Sequence, residues 1–242
     1  MPEGPSIIIL KEAVQQFKGK KVLEVTGNSK QDINRLLNKK IVDFKTWGKH
    51  FLICFEVFSV RIHFLLFGSY RINEKKEAAP RLHLKFRNGE LNFYSCSVKF
   101  IETNLDEIYE WSSDVLSDVW DAGKTKQKLK NQPETLVCDA LLDQQIFSGV
   151  GNIIKNEVLY RIKVHPESKV GKLPVKQLND LIKEARNYSF DFLEWKKAYV
   201  LKKHWLAHKQ KICKRDKNPI LKKYLGKTNR RTFFCEACQV KY

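Results

Sequence analysis

The chain opens with MPEGPSIIILKEAV, residues 1–14, in which a turn-forming pentapeptide runs directly into apolar residues at helical spacing. Gly and Pro are typical of turns, and Pro is also favoured in the first turn of a helix. The apolar positions behind Pro5 recur every three or four residues until Lys18-Gly19 ends the pattern. The stretch therefore predicts a helix that starts within the first few residues, although the pentapeptide alone would also suit a plain N-terminal turn.

Strand patterns follow this helix. Between residues 22 and 100 the sequence changes to short β-branched and aromatic runs, of which 51–55, 60–67 and 82–86 are the clearest. The segment RNGE, residues 87–90, predicts a hairpin with a type I′ turn, because Asn-Gly tolerates the positive φ angles of that turn. We expect this half to form a sandwich or barrel of antiparallel strands.

The second half of the chain is predicted to be helical. Residues 104–133 are polar and suggest a helix followed by a linker rich in Lys and Gln, whereas 136–147, 152–162 and 175–193 carry helical periodicity. A small cysteine ribbon follows. The expected fold class is α+β with three parts: an N-terminal helix with an antiparallel β-sandwich over 1–112, a helical domain over 113–208, and a ribbon over 209–242.

Composition is typical of a globular protein with a polyanionic partner. Of the 242 residues, 43% are hydrophobic and 12% aromatic, which is enough for a core and excludes a disordered chain. The formal net charge of +18 points to nucleic acid or an anionic membrane surface. Neither a bilayer-spanning run nor a signal peptide is apparent, so no membrane partner is expected. The six cysteines are then expected to be reduced or metal-bound, and the protein cytoplasmic, or nucleoid-associated in a bacterium.

The positive charge is concentrated at the C-terminal end. Residues 196–242 contain 15 Lys and Arg but only two acidic residues, so +13 of the +18 lies in the last 47 residues. Cys213, Cys235 and Cys238 lie in the same stretch. Basic runs are often only a solvated surface, but this density beside clustered cysteines favours contact with phosphates.

Residues 2 and 3 combine an amine with an acid. If Met1 is removed, Pro2 carries a secondary α-amine, and α-amino groups titrate near a pKa of about 8, well below the roughly 10.4 of Lys. A sizeable neutral fraction is then available as a nucleophile at neutral pH. Attack on the anomeric carbon of a sugar gives an iminium, which is an electron sink for strand cleavage by elimination. Glu3 is placed to move protons at the sugar.

The sequence resembles the formamidopyrimidine/endonuclease VIII (Fpg/Nei) family of DNA glycosylase/lyases over nearly its whole length. Pro2 and Glu3 match the nucleophile and the general acid of that family, and Lys49 in WGKHFL, residues 47–52, matches its catalytic lysine on a strand hairpin. The resemblance implies a bifunctional enzyme of base excision repair. It would remove oxidised bases through a proline Schiff base and cleave the strand by β/δ-elimination.

Three further residues match the DNA contacts of the family. DQQIFSGVGNI, residues 143–153, resembles its helix–two-turn–helix motif, in which Asn152 would cap a helix and bind phosphate. Leu66 in IHFLLFGS, residues 62–69, would fill the space left by a flipped-out nucleotide, although its pattern alone also suits a core strand. Arg230 in NRRTFF, residues 229–234, takes the place of a phosphate-binding arginine. The implied partner is damaged double-stranded DNA, bound by a monomer.

The ribbon departs from the family pattern at its metal site. Cys235 and Cys238 form a two-residue knuckle, but the upstream knuckle consists of Cys213 and Asp216 in place of two cysteines. The resemblance implies one structural zinc ion in a zinc-finger-like ribbon, with Asp216 as the fourth ligand. His208 and His204 are alternative ligands, and a ribbon without zinc is the remaining possibility.

Two other departures bear on the substrate. Ser6 stands where many relatives carry a second glutamate, and SVKF, residues 97–100, replaces the paired arginine and phenylalanine of the purine-repair branch. The stretch 193–213 is also short for the loop that covers an oxidised purine. The departure at 97–100 and the short stretch 193–213 favour oxidised pyrimidines, with an oxidised-purine glycosylase as the alternative, whereas Ser6 argues against a proton-relay role at its position. A non-catalytic DNA-binding protein of the same fold and a zinc-ribbon RNA-binding protein are the alternatives outside enzymes.

Overall fold

The computed structural model describes residues 2–242, which divide into two compact units. The first unit ends at Glu110 and the second comprises Trp111–Tyr242. The further division of the second unit into a helical domain and a ribbon near residue 208 stays a prediction. None of the helices within 2–242 combines the length and the apolar character needed to cross a bilayer.

The first unit is a helix packed on a sandwich of two four-stranded antiparallel sheets. Its elements are α1 Gly4–Ala13, β1 Glu24–Thr26, β2 Asp43–Trp47, β3 His50–Cys54, β4 Ser59–His63, β5 Ser69–Ile72, β6 Leu82–Phe86, β7 Gly89–Tyr94, β8 Ser97–Ile101 and the short α2 Leu105–Ile108. The sheets have the strand orders β1-β6-β7-β5 and β2-β3-β4-β8. Phe51 of one sheet lies against Phe93 of the other, with ring centroids 6.0 Å apart. The predicted β-sandwich is confirmed.

Two local predictions in this unit are wrong. In the β6–β7 hairpin Phe86 pairs with Gly89, so the turn residues are Arg87 and Asn88. The positive φ of +148° belongs to Gly89 and not to either turn residue, which excludes the type I′ turn. The predicted strand 60–67 ends at His63, because residues 65–67 form a turn that closes with Gly68 N donating to Phe64 O.

The second unit consists of helices and one β-hairpin. Its elements are α3 Ala122–Lys130, α4 Val137–Ala140, α5 Asn152–Arg161, α6 Val175–Lys197, β9 Leu221–Leu225 and β10 Arg230–Phe234. The predicted Lys- and Gln-rich linker is in fact α3, whose first amides are capped by the Asp121 carboxylate. The helix predicted over 136–147 is reduced to α4, and the rest of that segment consists of turns. Helix α5 packs against both α6 and β10.

Candidate active site and DNA-contact residues

Pro2 and Glu3 lie at the beginning of α1. Glu3 is the N-cap residue with an extended backbone, and its carbonyl accepts a hydrogen bond from Ser6 N at 2.8 Å. Its side chain is completely buried, while Pro2 is partly exposed. The positive end of a helix dipole favours a negative group at this position. Met1, whose removal would free the Pro2 amine, lies outside the described residues.

Lys49 is presented by a tight turn between β2 and β3. Trp47 pairs with His50, so Gly48 and Lys49 form a two-residue hairpin loop. Only Gly48 has a positive φ, +52°, which is the φ pattern of a type II′ turn and explains why glycine precedes the lysine. The turn places Lys49 at the tip of a hairpin, as the family resemblance implied.

An aromatic cluster lies below this turn and was not recognised from the sequence. The centroid of the His50 ring lies 5.4–5.7 Å from those of Trp47, His63 and Tyr109, and the Trp47 and Tyr109 centroids are 5.1 Å apart. Trp47 Nε1 donates to the Glu110 carbonyl at 3.0 Å. Burial, together with the nearby charges of Arg61, His63 and Lys49, lowers the pKa of His50 to about 3. The pKa of His63 is lowered by burial and by Lys49 and Arg61. His50 is therefore neutral at physiological pH and adds no charge beside Lys49.

Leu66 lies in an exposed apolar turn. The side chains of Leu65, Leu66 and Phe67 are 52%, 46% and 86% exposed, so Leu66 is not a core strand residue. Leu65 has a φ of +53°, an uncommon backbone conformation for a leucine. Apolar side chains displayed on a firm turn suit insertion between bases. Phe67 is a second candidate for this role, and the strand-like pattern of 60–67 concealed it.

Asn152 is the first residue of α5 and not its cap. The N-cap residue is Gly151, and the Asn152 side chain instead donates from Nδ2 to the Arg231 carbonyl at 2.7 Å. The capping role predicted for Asn152 is therefore wrong, because the helix begins one residue earlier than a cap at Asn152 requires. An amide nitrogen carries two donor hydrogens, so one remains for a phosphate beside the start of the helix.

Arg230 stands at the beginning of β10, next to the turn of the ribbon. It pairs with Leu225 across the hairpin, and residues 226–229 form the connecting turn. Its side chain is exposed, as are those of Arg231, Lys222 and Lys223. An exposed guanidinium on a paired strand is suited to bidentate contact with a phosphate.

A group of four possible metal ligands lies at the base of the ribbon. The ligand atoms of Cys213, Asp216, Cys235 and Cys238 all lie within 4.8 Å of one another. Cys213 Sγ and Cys238 Sγ are 3.8 Å apart, and Cys235 Sγ lies 3.1 Å from Asp216 Oδ2. Two thiolates on a tetrahedral zinc ion are about 3.8 Å apart when each Zn–S bond is about 2.3 Å, so the group fits zinc.

The surroundings of this group favour Asp216 over the histidines. Asn218 N donates to Asp216 Oδ1 at 3.0 Å, which turns the other carboxylate oxygen toward the cysteines. Arg215 donates to Cys238 Sγ at 3.0 Å, where its charge would offset that of thiolates holding a metal ion. His208 is buried against Asn156 at 3.0 Å, and His204 stacks on Trp195, so neither belongs to the group.

Family models match most of the chain. The model described as the formamidopyrimidine-DNA glycosylase N-terminal domain matches residues 1–100, and the one described as the formamidopyrimidine-DNA glycosylase H2TH domain matches residues 112–195. The chain belongs to the Fpg/Nei family. Both family models end before the ribbon, which contains Arg230 and the four possible metal ligands.

Similar proteins include several Fpg/Nei members. Endonuclease 8-like 3 of Xenopus laevis is 30% identical over 90% of this chain, and the Homo sapiens protein is 31% identical over 89%. Endonuclease 8-like 2 of Bos taurus is 32% identical over 74%. The chain spans 38%, 37% and 58% of the lengths of these three relatives, respectively.

Two solved DNA glycosylase structures have a similar fold. A viral DNA glycosylase superposes with a TM-score of 0.87 at 21% identity, covering 98% of this chain and 100% of the other. Lactococcus lactis formamidopyrimidine-DNA glycosylase, solved with DNA that contains an AP site, superposes with a TM-score of 0.88 at 20% identity. The match covers 99% of this chain and 100% of the other. These matches confirm the α+β fold class predicted from the sequence.

Proposed function

We propose that the protein is a DNA glycosylase of base excision repair that also cleaves the strand at the abasic site. The observation that carries the proposal is the position of Pro2 and Glu3 at the beginning of α1, with the Glu3 side chain fully buried. Lys49 belongs to the same compact unit and is presented on a rigid turn. Membership of the Fpg/Nei family supports this assignment.

In the proposed reaction the neutral Pro2 amine attacks C1′ of the damaged nucleotide. The C1′–N bond to the amine forms as the glycosidic bond breaks, and the base leaves with a proton supplied by Glu3. The C1′–O4′ bond then breaks to give an iminium at C1′, as the nitrogen loses its proton and O4′ gains one. Loss of a C2′ proton expels the 3′ phosphate by β-elimination, and loss of the C4′ proton expels the 5′ phosphate by δ-elimination. Water hydrolyses the iminium, which releases the sugar fragment and returns the Pro2 amine. Lys49 provides a positive charge beside the phosphates.

The proposed substrate is duplex DNA with an oxidised pyrimidine, bound by a monomer. Leu66, in its exposed turn, would fill the gap left by the flipped-out nucleotide, and Asn152 and Arg230 would hold phosphates. The net charge of +18 supports a phosphate-rich partner. Residues 97–100, which depart from the purine-repair pattern, and the short stretch 193–213 favour the pyrimidine side.

One zinc ion is proposed for the ribbon. Cys213, Asp216, Cys235 and Cys238 would hold it, and its role when bound is to close the ribbon, because four protein ligands leave no open position for a substrate. The ribbon then presents Arg230 on a fixed strand. Stoichiometric zinc in purified, active protein would support this assignment, and active protein without zinc would refute it.

Borohydride trapping tests the proposed reaction. Protein whose Met1 has been removed is incubated with a duplex containing one oxidised pyrimidine and then reduced, which would leave a stable covalent adduct at Pro2. A version with a residue extension before Pro2 should give no adduct, whereas the same extension placed after Tyr242 should have no effect. Full trapping by the N-terminally extended protein would refute the role of Pro2.

The lesion is tested on a panel of oxidised pyrimidines, oxidised purines and ring-opened purines. Faster release of the pyrimidines is expected, and preference for the purines would establish the alternative glycosylase. Binding to the duplex without any adduct would instead indicate a non-catalytic protein of this fold. Stronger binding of single-stranded RNA would favour a zinc-ribbon RNA-binding protein.

A further inference from the structure

The turn of the ribbon hairpin is held by a carboxylate from another part of the chain. Asp139, on α4, accepts hydrogen bonds from Lys227 N at 2.9 Å and from Thr228 N and Thr228 Oγ1, both at 3.3 Å. Asp139 is only 9% exposed, so these donors replace the water that its carboxylate would otherwise need. A two-stranded hairpin alone is marginally stable, and this contact fixes its free end.

Glycine at position 226 makes this contact possible. Gly226 has a φ of +71°, and a Cβ built there would overlap both carboxylate oxygens of Asp139. The turn therefore lies directly against the carboxylate, and only a residue without a side chain fits between them. The backbone of Asp139 is also held in place, because its N–H donates to Leu136 O and its carbonyl accepts from Leu142 N and Asp143 N.

The strand that follows the turn is anchored separately by α5. Asn152 Nδ2 donates to Arg231 O and Lys155 Nζ to Thr232 Oγ1, each at 2.7 Å, and Phe233 N donates to Asn156 Oδ1 at 3.4 Å. Arg230 lies between these anchors and the turn held by Asp139. Its backbone is thus fixed on both sides, while its guanidinium stays exposed.

We propose that Asp139 is a positioning residue for DNA binding, which acts by fixing the 226–229 turn so that Arg230 meets a phosphate. The proposal rests on the phosphate contact of Arg230 in the proposed function. Fixing the 226–229 turn before DNA binds lowers the conformational entropy lost on binding. Simple electrostatics makes the opposite prediction, because replacing Asp139 by Asn removes a negative charge and should tighten binding to DNA.

The experiment compares the affinity of four proteins for a duplex that carries a tetrahydrofuran abasic analogue, over a range of salt concentrations. Arg230→Ala should weaken binding about tenfold or more, as expected for the loss of one charged hydrogen bond. It should also reduce the slope of log K against log salt by about 0.9. Asp139→Asn should show the same two changes, and the double variant should be no weaker than Arg230→Ala alone.

Two controls separate positioning from charge and from folding. Asp180→Asn removes the same charge from a partly exposed carboxylate on α6, which pairs with Lys176, and should bind as tightly as the parent or slightly better. Gly226→Ala pushes a methyl group into the Asp139 carboxylate and should reproduce the effect of Asp139→Asn. Zinc content and melting temperature are measured for every variant.

Three outcomes would overturn the proposal. If Asp139→Asn bound DNA as tightly as the parent or more tightly, Arg230 would not need Asp139 to fix the 226–229 turn. The role of Arg230 itself would be unaffected. Asp139 would be shown only to support the fold if Asp139→Asn lowered DNA affinity by the same factor in the Arg230→Ala background as in the parent. The same would follow if it left the slope of log K against log salt unchanged. If Arg230→Ala itself binds normally, the proposed phosphate contact is wrong and Asp139 has nothing to position.

Discussion

Replacing Asp216 by Ala should weaken zinc binding without unfolding the rest of the chain. Asp216 contributes one of four ligand atoms that lie within 4.8 Å of one another. Structural zinc sites with four ligands bind with an apparent free energy of roughly 10–16 kcal/mol, so an equal share for one ligand is about 3 kcal/mol. Loss of that share raises the dissociation constant for zinc roughly hundredfold. The ribbon should loosen as zinc is lost, because metal binding and local folding are coupled.

Competition with a chromophoric zinc chelator measures this change directly. Asp216→Cys completes a four-cysteine site and should bind zinc at least as tightly as the parent protein. His208→Gln is the matched control, because His208 is buried against Asn156 away from the four ligands and should leave zinc affinity unchanged. Unchanged affinity in Asp216→Ala, with loss in His208→Gln, would refute the ligand set and place the fourth ligand upstream.

Three further changes test the first unit. Glu3→Gln should lose base removal by a factor of about 10² or more but retain cleavage of a pre-formed abasic site, where no base has to leave. Leu66→Ala should slow excision of a flipped base with no shift in melting temperature, because this side chain is 46% exposed. The pKa of His50 is lowered from 6.5 to about 3, so the folded state binds fewer protons and its stability falls as the pH drops from about 6.5 toward 3. His50→Phe should flatten this decline in denaturation measured between pH 7 and pH 4, though not abolish it, because the pKa of His208 is also lowered, to about 4.

Short-range patterns predicted the elements that present the candidate site. The match of residues 47–52 to the family pattern implied a strand hairpin at Lys49, and the structure places Lys49 in a two-residue hairpin loop. The three-residue offset from Cys213 to Asp216 matched that of the Cys235–Cys238 knuckle, and all four ligand atoms lie together. In both cases the chemistry depends on residues a few positions apart, where sequence spacing determines geometry.

Helix α3 was mistaken for a linker because burial, and not composition, stabilises it. Its residues are mostly Lys, Gln and Gly, and only Thr125 and Leu129 are buried. Its few apolar positions stand among four lysines, so the segment is hard to distinguish by composition from a polar loop. Asp121, which accepts hydrogen bonds from the Gly123 and Lys124 amides, was the available indication that a helix begins there.

Contacts between residues that lie far apart in the chain could not be predicted from sequence spacing. Asp139 and the turn it binds are separated by 88 and 89 positions in the chain, and Asp139 itself lies in a segment predicted only as amphipathic helix. Lys155 is buried, with Nζ on Thr232 Oγ1, although its residue type indicates a surface position. His50 and His63 face each other only because of the register between β3 and β4. Each of these pairings is determined by tertiary packing.

The carboxylates around the ribbon explain how so basic a segment folds and still presents its charge. The acidic groups that hold the segment are turned inward: Asp139 binds the hairpin turn, Asp216 faces the cysteines, and Glu157 accepts three backbone N–H groups from residues 206–208. Lys and Arg side chains of the segment are thereby left largely on the outside, where they repel one another but attract phosphates. Net charge alone predicts that removing any of these carboxylates tightens DNA binding. The observed contacts predict the reverse, because a cation contributes to binding only when the backbone that carries it is held in place.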